Sequence, residues 1–532
     1  MNAPKKVAFI FAGILIVFII FFQINRNGDD SEDNSITDPY IREGKRLADA
    51  YCGSCHTVPD PDLLPWRTWR FETLAAMAPF LGVDDPQSSY NPNRNPYLPD
   101  DFYPTEPIIN QEEWQKIRDY YLHESSQEWN LPEKDPAIIT DPLFFKARFS
   151  DVQAEHPPTV TSVTFDPGNR RIYASDFQNG AFMVFNEKLE LEHSLEIEST
   201  IADVQILSDD WQMRSGPRKF LLTFIGELYP SDAPYGFIRS GWYDPEIQKA
   251  GLDSVLVSGI TRPVESQFVD LNRDGVKDLL VNEFGHRMGR LFWMENSGDG
   301  RLLEKRVLID TPGCIQSYVF DYTQNGWPDV LSLCTQTDQS IYLFSNNGNG
   351  QFERSKLLEF EVTAGSSSFE VHDFNDDGHP DILYTSGDNA DFSNVYKPYH
   401  GVYIYLNDGQ NGFQQKWFYP VNGAYNAKAR DFNGDGYVDI AVISFFADYE
   451  NTPEEGFLFF ENEGNFSFTP YHHPAASSGR WQTMDVADWT GNGRDDIVLA
   501  NFSTGPSMVS DSLQKKWEKA PHILVLENRS TE

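Results

Sequence analysis

The residues of this chain best placed to do chemistry are Cys52-Gly53-Ser54-Cys55-His56. The spacing CxxCH attaches a c-type haem: two thiols add across the vinyl groups, and the adjacent imidazole turns onto the iron. Two thioethers and one axial nitrogen must all reach one rigid macrocycle, which is why these residue types sit so close together. The chain holds four cysteines, and the other two lie far along the sequence. A zinc site at residues 52–56 would therefore lack its remaining ligands. A low-spin electron-transfer haem takes Met or His as its sixth ligand. Met77, in Leu74-Ala75-Ala76-Met77-Ala78-Pro79, is the only methionine between residues 38 and 130. His123 is the alternative, and core filling is the bland role for Met77.

A second chemistry recurs along the chain. Asp270, Asn272, Asp274 and Asp278 stand at positions 1, 3, 5 and 9 of a loop with Gly275 at position 6. The same pattern returns as Asp373, Asn375, Asp377 and Asp381, and as Asp431, Asn433, Asp435 and Asp439. A looser copy has Asp488, Asn492 and Asp496, and a weaker one runs from Asp321 to Asp329. Oxygen side chains at these positions wrap a hard cation such as calcium, and glycine permits the sharp turn. An EF-hand would carry glutamate at position 12, but here that position falls in an apolar run. Turn closure by Asp and Asn alone is the structural alternative.

Cys314 and Cys334 flank the loop at Asp321. Hairpin pairing about Asn325 brings them near opposition, which suits a disulfide in an oxidising compartment, the alternative being two buried thiols. Three polar clusters complete the candidates: Gly226 to Asp232, Glu283 to Arg287, and the long insertion Gly387 to Gly401 with Asp388, Asp391, Tyr396, Lys397, Tyr399 and His400. Each follows a second strand of its repeat, so all three emerge on one face. Structural packing of polar loops is the competing reading. No GxSxG or phosphate-binding glycine loop is present in the sequence.

The elements that must position these groups are of two kinds. Ile41 to Tyr51 has helical spacing and runs into Cys52. Asn110 begins a second helix, with early acids at Glu112 and Glu113 and apolar residues at Trp114, Ile117, Tyr120 and Tyr121. Residues 38–126 thus resemble a small all-α cytochrome c, whose two terminal helices pack across each other. The Pro- and Asn-rich stretch from Asp84 to Pro107 is then a loop around the haem edge.

After a proline-containing linker at residues 127–142, the acidic loops return at intervals of roughly fifty to sixty residues. Each is flanked by strands and followed by an Asn/Gly turn, as in Asn296-Ser297-Gly298 and Asn407-Asp408-Gly409. Four antiparallel strands per unit make a propeller blade. Two degenerate units near residues 163–185 and 203–226 bring the count to seven. The last unit is one strand short, and Leu143 to Phe149 can supply it. Closure of that kind removes exposed sheet edges. Residues 143–532 resemble the FG-GAP/VCBS repeats, whose propellers include the integrin α-subunit head and whose hairpin-loop carboxylates bind calcium. The fold class expected is mainly β, a seven-bladed propeller preceded by the small helical domain. The combination resembles bacterial surface or periplasmic proteins.

Lys5 and Lys6 precede an apolar run from Val7 to Phe22 with no small-residue cleavage site after it. Residues 1–26 read as a signal anchor, or else a cleaved signal, and residues 27–37 as a flexible tether. The lysines keep the N-terminus cytoplasmic and place the rest outside the inner membrane, facing the periplasm or cell exterior. Acidic residues number 80 against 42 basic, a net charge of −38, which repels nucleic acid. The expected function is an exported haem c electron-transfer protein with a redox partner protein, its calcium-binding propeller serving as a partner- or substrate-binding module. Two other readings stay open: a propeller dehydrogenase, quinone- or sugar-linked, that feeds its own haem, and a glycan-binding adhesion propeller.

Overall fold

The computed structural model describes residues 36–87, 95–152, 154–207, 217–348, 350–390, 393–505 and 509–530. The segment at 1–26 and most of the tether lie outside the described residues. Among the described residues, no helix is long and apolar enough to cross a membrane.

The N-terminal unit is helical. Its first helix, Pro39–Tyr51, starts at Asp38, whose side chain accepts from the Tyr40 amide at 2.8 Å. Proline at the first position costs nothing, because that amide has no partner inside a helix. The last helix, Gln111–Glu124, begins with a capping box: Asn110 accepts from the Glu113 amide, and Glu113 accepts from the Asn110 amide. Between them, a composite helix runs through turns Trp66–Thr68, Trp69–Thr73, Leu74–Met77 and Ala78–Leu81. It ends at Gly82, which takes a φ of 68°. Ile41, Leu47, Trp69, Leu74, Trp114, Ile117 and Tyr121 form one buried core among the three.

Seven sheets follow, and they form a seven-bladed β-propeller. Each sheet runs outward from its first strand, and the seven first strands neighbour one another in a closed ring. Side chains on those strands close the ring. Glu265 accepts from the Ser317 amide at 2.7 Å, Gln316 from Phe369 at 3.2 Å, Glu370 from Ala429 at 2.6 Å and Asp485 from Phe165 at 2.8 Å. Inner-edge N–H groups that have no strand partner are thereby satisfied by the preceding blade.

The missing strand of the last blade is Phe145–Phe149, antiparallel to Ile523–Asn528. Two features were not legible in the sequence. The proline-containing linker is strapped to blades 5 and 6: Ile139–Thr140 pairs in parallel with Phe468–His472 of blade 6, Lys134 pairs with Glu455, and Pro136 O accepts from the hydroxyl of Tyr419 on blade 5 at 2.7 Å. The other is a short helix, Asp511–Trp517, in the insertion of blade 7.

Candidate functional site

The first helix delivers Cys52 into a single 3-10 turn, Cys52–Ser54. Both thiols are unpaired; Cys52 is partly buried and Cys55 exposed. Burial, with Cys55 and Asp49 nearby, pushes the Cys52 thiol up to about 11. His56 Nδ1 bonds the Thr57 carbonyl at 2.8 Å. Among the described residues Nε2 makes no hydrogen bond. An imidazole that ligates a metal through one nitrogen commonly donates the other N–H to a carbonyl, which fixes its tautomer. Met77 packs against the same buried core as Cys52. His123 is 61% exposed and bonds Glu124, so it points away from that core.

The five acidic loops join first to second strands and lie together on one face of the ring. The glycine at position 6 has a φ of 87° at Gly275, 83° at Gly378 and 91° at Gly436. A Cβ at these glycines would meet nothing within 4 Å, so the backbone conformation, not space, demands glycine. Asp270 accepts from the Asp274 and Gly275 amides, and Asn272 donates to Asp274 at 3.1 Å. The loops at 373 and 431 repeat this bonding.

Position 9 is wholly buried at Asp278, Asp381, Asp439 and Asp496. Each of these carboxylates bridges two backbone amides, one in its own loop and one at the Asn of the following turn: Leu271 and Asn296, Phe374 and Asn407, Phe432 and Asn462, Thr490 and Asn528. Burial raises Asp439 to about 7 and Asp496 to about 6. In the loop at 488, Asn492 donates to Asn528 O, just as Asn325 donates to Asn346 O in the loop at 321. In those two loops position 5 is an asparagine, exposed but tied to a backbone carbonyl by its amide nitrogen. The loops at 270, 373 and 431 keep their side chains at positions 1, 3 and 5 at the solvent face. Among the described residues, no three His, Cys, Asp or Glu side chains converge closely enough to form a metal cluster.

Cys314 and Cys334 are directly opposed across the first two strands of blade 4 and joined in a disulfide.

The three polar clusters share the opposite face, but what they meet there is the helical domain. Tyr399 donates to Leu63 O at 2.8 Å and stands edge-on to Trp129. The Asn394 amide donates to Glu72, and Val395 packs into the helical core. Arg287 lies 5.3 Å from the Phe80 ring centroid. Asp232, 2% exposed, accepts from the Arg287 and Met288 amides and from Asn95 at 2.7 Å. Tyr97 and Tyr235 share a hydroxyl hydrogen bond. The loop expected around a haem edge thus reaches the propeller through Asn95 and Tyr97. Lys397 and His400, which flank Tyr399, are buried within the propeller; burial and the Lys397 charge hold His400 well below its ordinary value, so it is neutral. Phe445, Phe446 and Phe502, with Phe177 and Leu228 against them, gather loops of blades 1, 2, 6 and 7 into one apolar cluster on the same face. Sequence reasoning missed Glu359 at the edge of the seam, where it accepts from Thr57 at 2.9 Å. A glutamate in an outer strand carries no signal that could have found it.

A protein-family description, FG-GAP-like repeat, matches residues 270–332 and again residues 321–384. The chain therefore carries FG-GAP repeats on a seven-bladed β-propeller. Among solved structures it is similar to the crystal structure of BBS1N in complex with ARL6DN, soaked with mercury, at 9% identity and a TM-score of 0.43 over 74% of this chain and 98% of that chain. No curated protein matches the chain.

Proposed function

We propose that the N-terminal helical domain carries a covalent haem c and moves single electrons, and that the propeller is a calcium-binding module presenting it to a redox partner or substrate. The observation that carries this reading is the state of His56. Its Nδ1 is committed to a carbonyl and its Nε2 is open, immediately beside two unpaired thiols. This donor set fits the group. Cys52 and Cys55 would hold it by thioethers, and His56 and Met77 would supply the axial ligands. The haem, when bound, supplies one-electron chemistry. Thr57 O fixes the imidazole tautomer, and the core of Trp69, Leu74 and Tyr121 keeps water from that side.

Calcium is proposed for the loops at 270, 373 and 431, whose hard oxygen donors suit it. Asp488, Asn492 and Asp496 are left out, because position 5 there is a neutral asparagine, its amide nitrogen bonded to Asn528 O, in place of a carboxylate. The same reading has the chain exported and anchored through residues 1–26, since bacterial c-type attachment occurs on the exported side.

The test is the full-length chain expressed with a c-type maturation system. A covalent haem spectrum that disappears in the Cys52→Ala, Cys55→Ala double variant is expected. A folded protein without covalent haem would overturn the reading. The dehydrogenase reading gains from the seam itself, which sets the propeller beside the haem-attachment turn. Specific reduction of the oxidised haem by a sugar or alcohol would establish it.

A further inference from the structure

Thr57 is the residue that follows the CxxCH turn, and it faces two ways. Its carbonyl accepts from His56 Nδ1 at 2.8 Å, and its hydroxyl donates to Glu359 Oε1 at 2.9 Å. Glu359 belongs to the outer strand of blade 4, Phe352–Phe360. It is fixed from behind. Lys356 Nζ bonds Glu359 at 3.0 Å and Asp338 at 2.7 Å. Asp338 in turn accepts from the Tyr342 hydroxyl at 2.7 Å, and from Ser340. A continuous bonded series therefore runs from the interior of blade 4 to the imidazole of the helical domain.

We propose that Glu359 is a positioning residue of the haem site: through Thr57 it fixes the carbonyl that orients His56, and its charge favours the oxidised iron. The proposal rests on the haem reading above. Outer-shell hydrogen bonds orient a ligating histidine and raise its basicity. A nearby carboxylate stabilises the extra positive charge of ferric iron and so lowers the reduction potential. Glu359 is 47% exposed, so water screens part of this effect. The expected size is a threefold to tenfold change in the preference for oxidised over reduced iron. That is about 30 to 59 mV, at 59 mV per decade for one electron.

The experiment is a spectroelectrochemical titration of the full haem-loaded chain. Glu359→Gln keeps an oxygen acceptor for Thr57 and removes the charge; it should raise the midpoint potential by the stated amount. Glu359→Ala and Thr57→Val should, in addition, broaden the signals of the His56 ring. Glu353→Gln, an exposed acid on the same strand, is the control and should move neither. Strong salt should shrink the difference between wild type and Glu359→Gln. Potentials for the Glu359 variants within the range of the control would overturn the proposal while leaving the haem in place. A wild-type chain without covalent haem would overturn both, so the two failures are distinguishable.

Discussion

Gly44 on the first helix lies so close to Lys116 on the last that a Cβ there would stand 2.2 Å from the Lys116 carbonyl oxygen and 2.8 Å from Tyr120 Cβ. The backbones cross at this point, and no rotamer can relieve the clash. Gly44→Ala must push the helices apart, at a cost of about 1–3 kcal/mol. Calorimetry should show the transition of the helical domain falling while that of the propeller stays in place. An unchanged trace would mean that the helices do not cross at Gly44.

Asp232 ties three donors from two domains. Asp232→Ala leaves the Arg287 and Met288 amides and the Asn95 side chain without their acceptor, on the order of 1–3 kcal/mol for a buried donor left unmet. Asp232→Asn keeps one acceptor and should cost less. Limited proteolysis reads the result: cleavage within residues 95–107 should speed up in Asp232→Ala. Equal rates would show that Asp232 does not hold the loop.

The inner ring makes stability depend on pH. Burial, and then the neighbouring Asp203 carboxylate, pushes Glu265 up from 4.5 to about 8. Burial alone takes Asp203 from 3.8 to about 7. Glu265 keeps some contact with water along the inner wall, yet protein surrounds it, and Lys428 on blade 6 acts on it. A carboxyl whose folded value is raised binds its proton more tightly when folded. Its contribution is therefore complete below the unfolded value, is lost as pH rises through the folded value, and is level above it. Stability should fall between about pH 4.5 and 8. Glu265→Gln should flatten that slope and stabilise the protein at the alkaline end by roughly 1–4 kcal/mol. Denaturant unfolding across the pH series is the measurement; parallel slopes in both proteins would refute the assignment.

Chelation separates the acidic loops. An ion present at a hundred times its dissociation constant contributes about 2.7 kcal/mol, so a chelator should lower the melting temperature. Asp431→Ala should reduce the bound calcium by one ion, measured by elemental analysis after dialysis. Asp488→Ala should leave the count unchanged. A loss of one ion from both variants would restore the loop at 488 to the set.

The propeller was legible because its signals repeat. One acidic loop or one Asn/Gly turn is weak; five in register set the blade period and the phase of the strands. The closing strand at Phe145–Phe149 was legible as a shortfall after Asn528. The crossing helices announced themselves by apolar spacing at Ile41 to Tyr51 and by the start at Asn110. What could not be read was whatever joins distant segments without a pattern. Asn95, Tyr97, Thr57 and Glu359 are ordinary polar residues, and their importance comes only from where the two domains touch. The insertions at 226–232, 283–287 and 387–401 were correctly placed on one face. Their composition suggested an open ligand site because hydrogen-bonding groups that seat a protein domain are of the same types as those that seat a small molecule. Position 9 of the acidic loops was read as a cation ligand, and its second task, bridging two backbone segments, depends on a turn some twenty residues away that no local pattern reveals.

The pairing of Phe145–Phe149 with Ile523–Asn528 has a consequence for the order of events in the cell. Synthesis proceeds from the N-terminus, so the helical domain is made long before the last strand exists. Until that strand arrives the last blade lacks its partner for Phe145–Phe149 and the ring stays open. The turn at Cys52–Ser54 does not share that fate, because Cys55 and Thr57 stay exposed in the closed fold. The clasp thus makes ring closure a late event of synthesis while leaving the two thiols reachable before and after it.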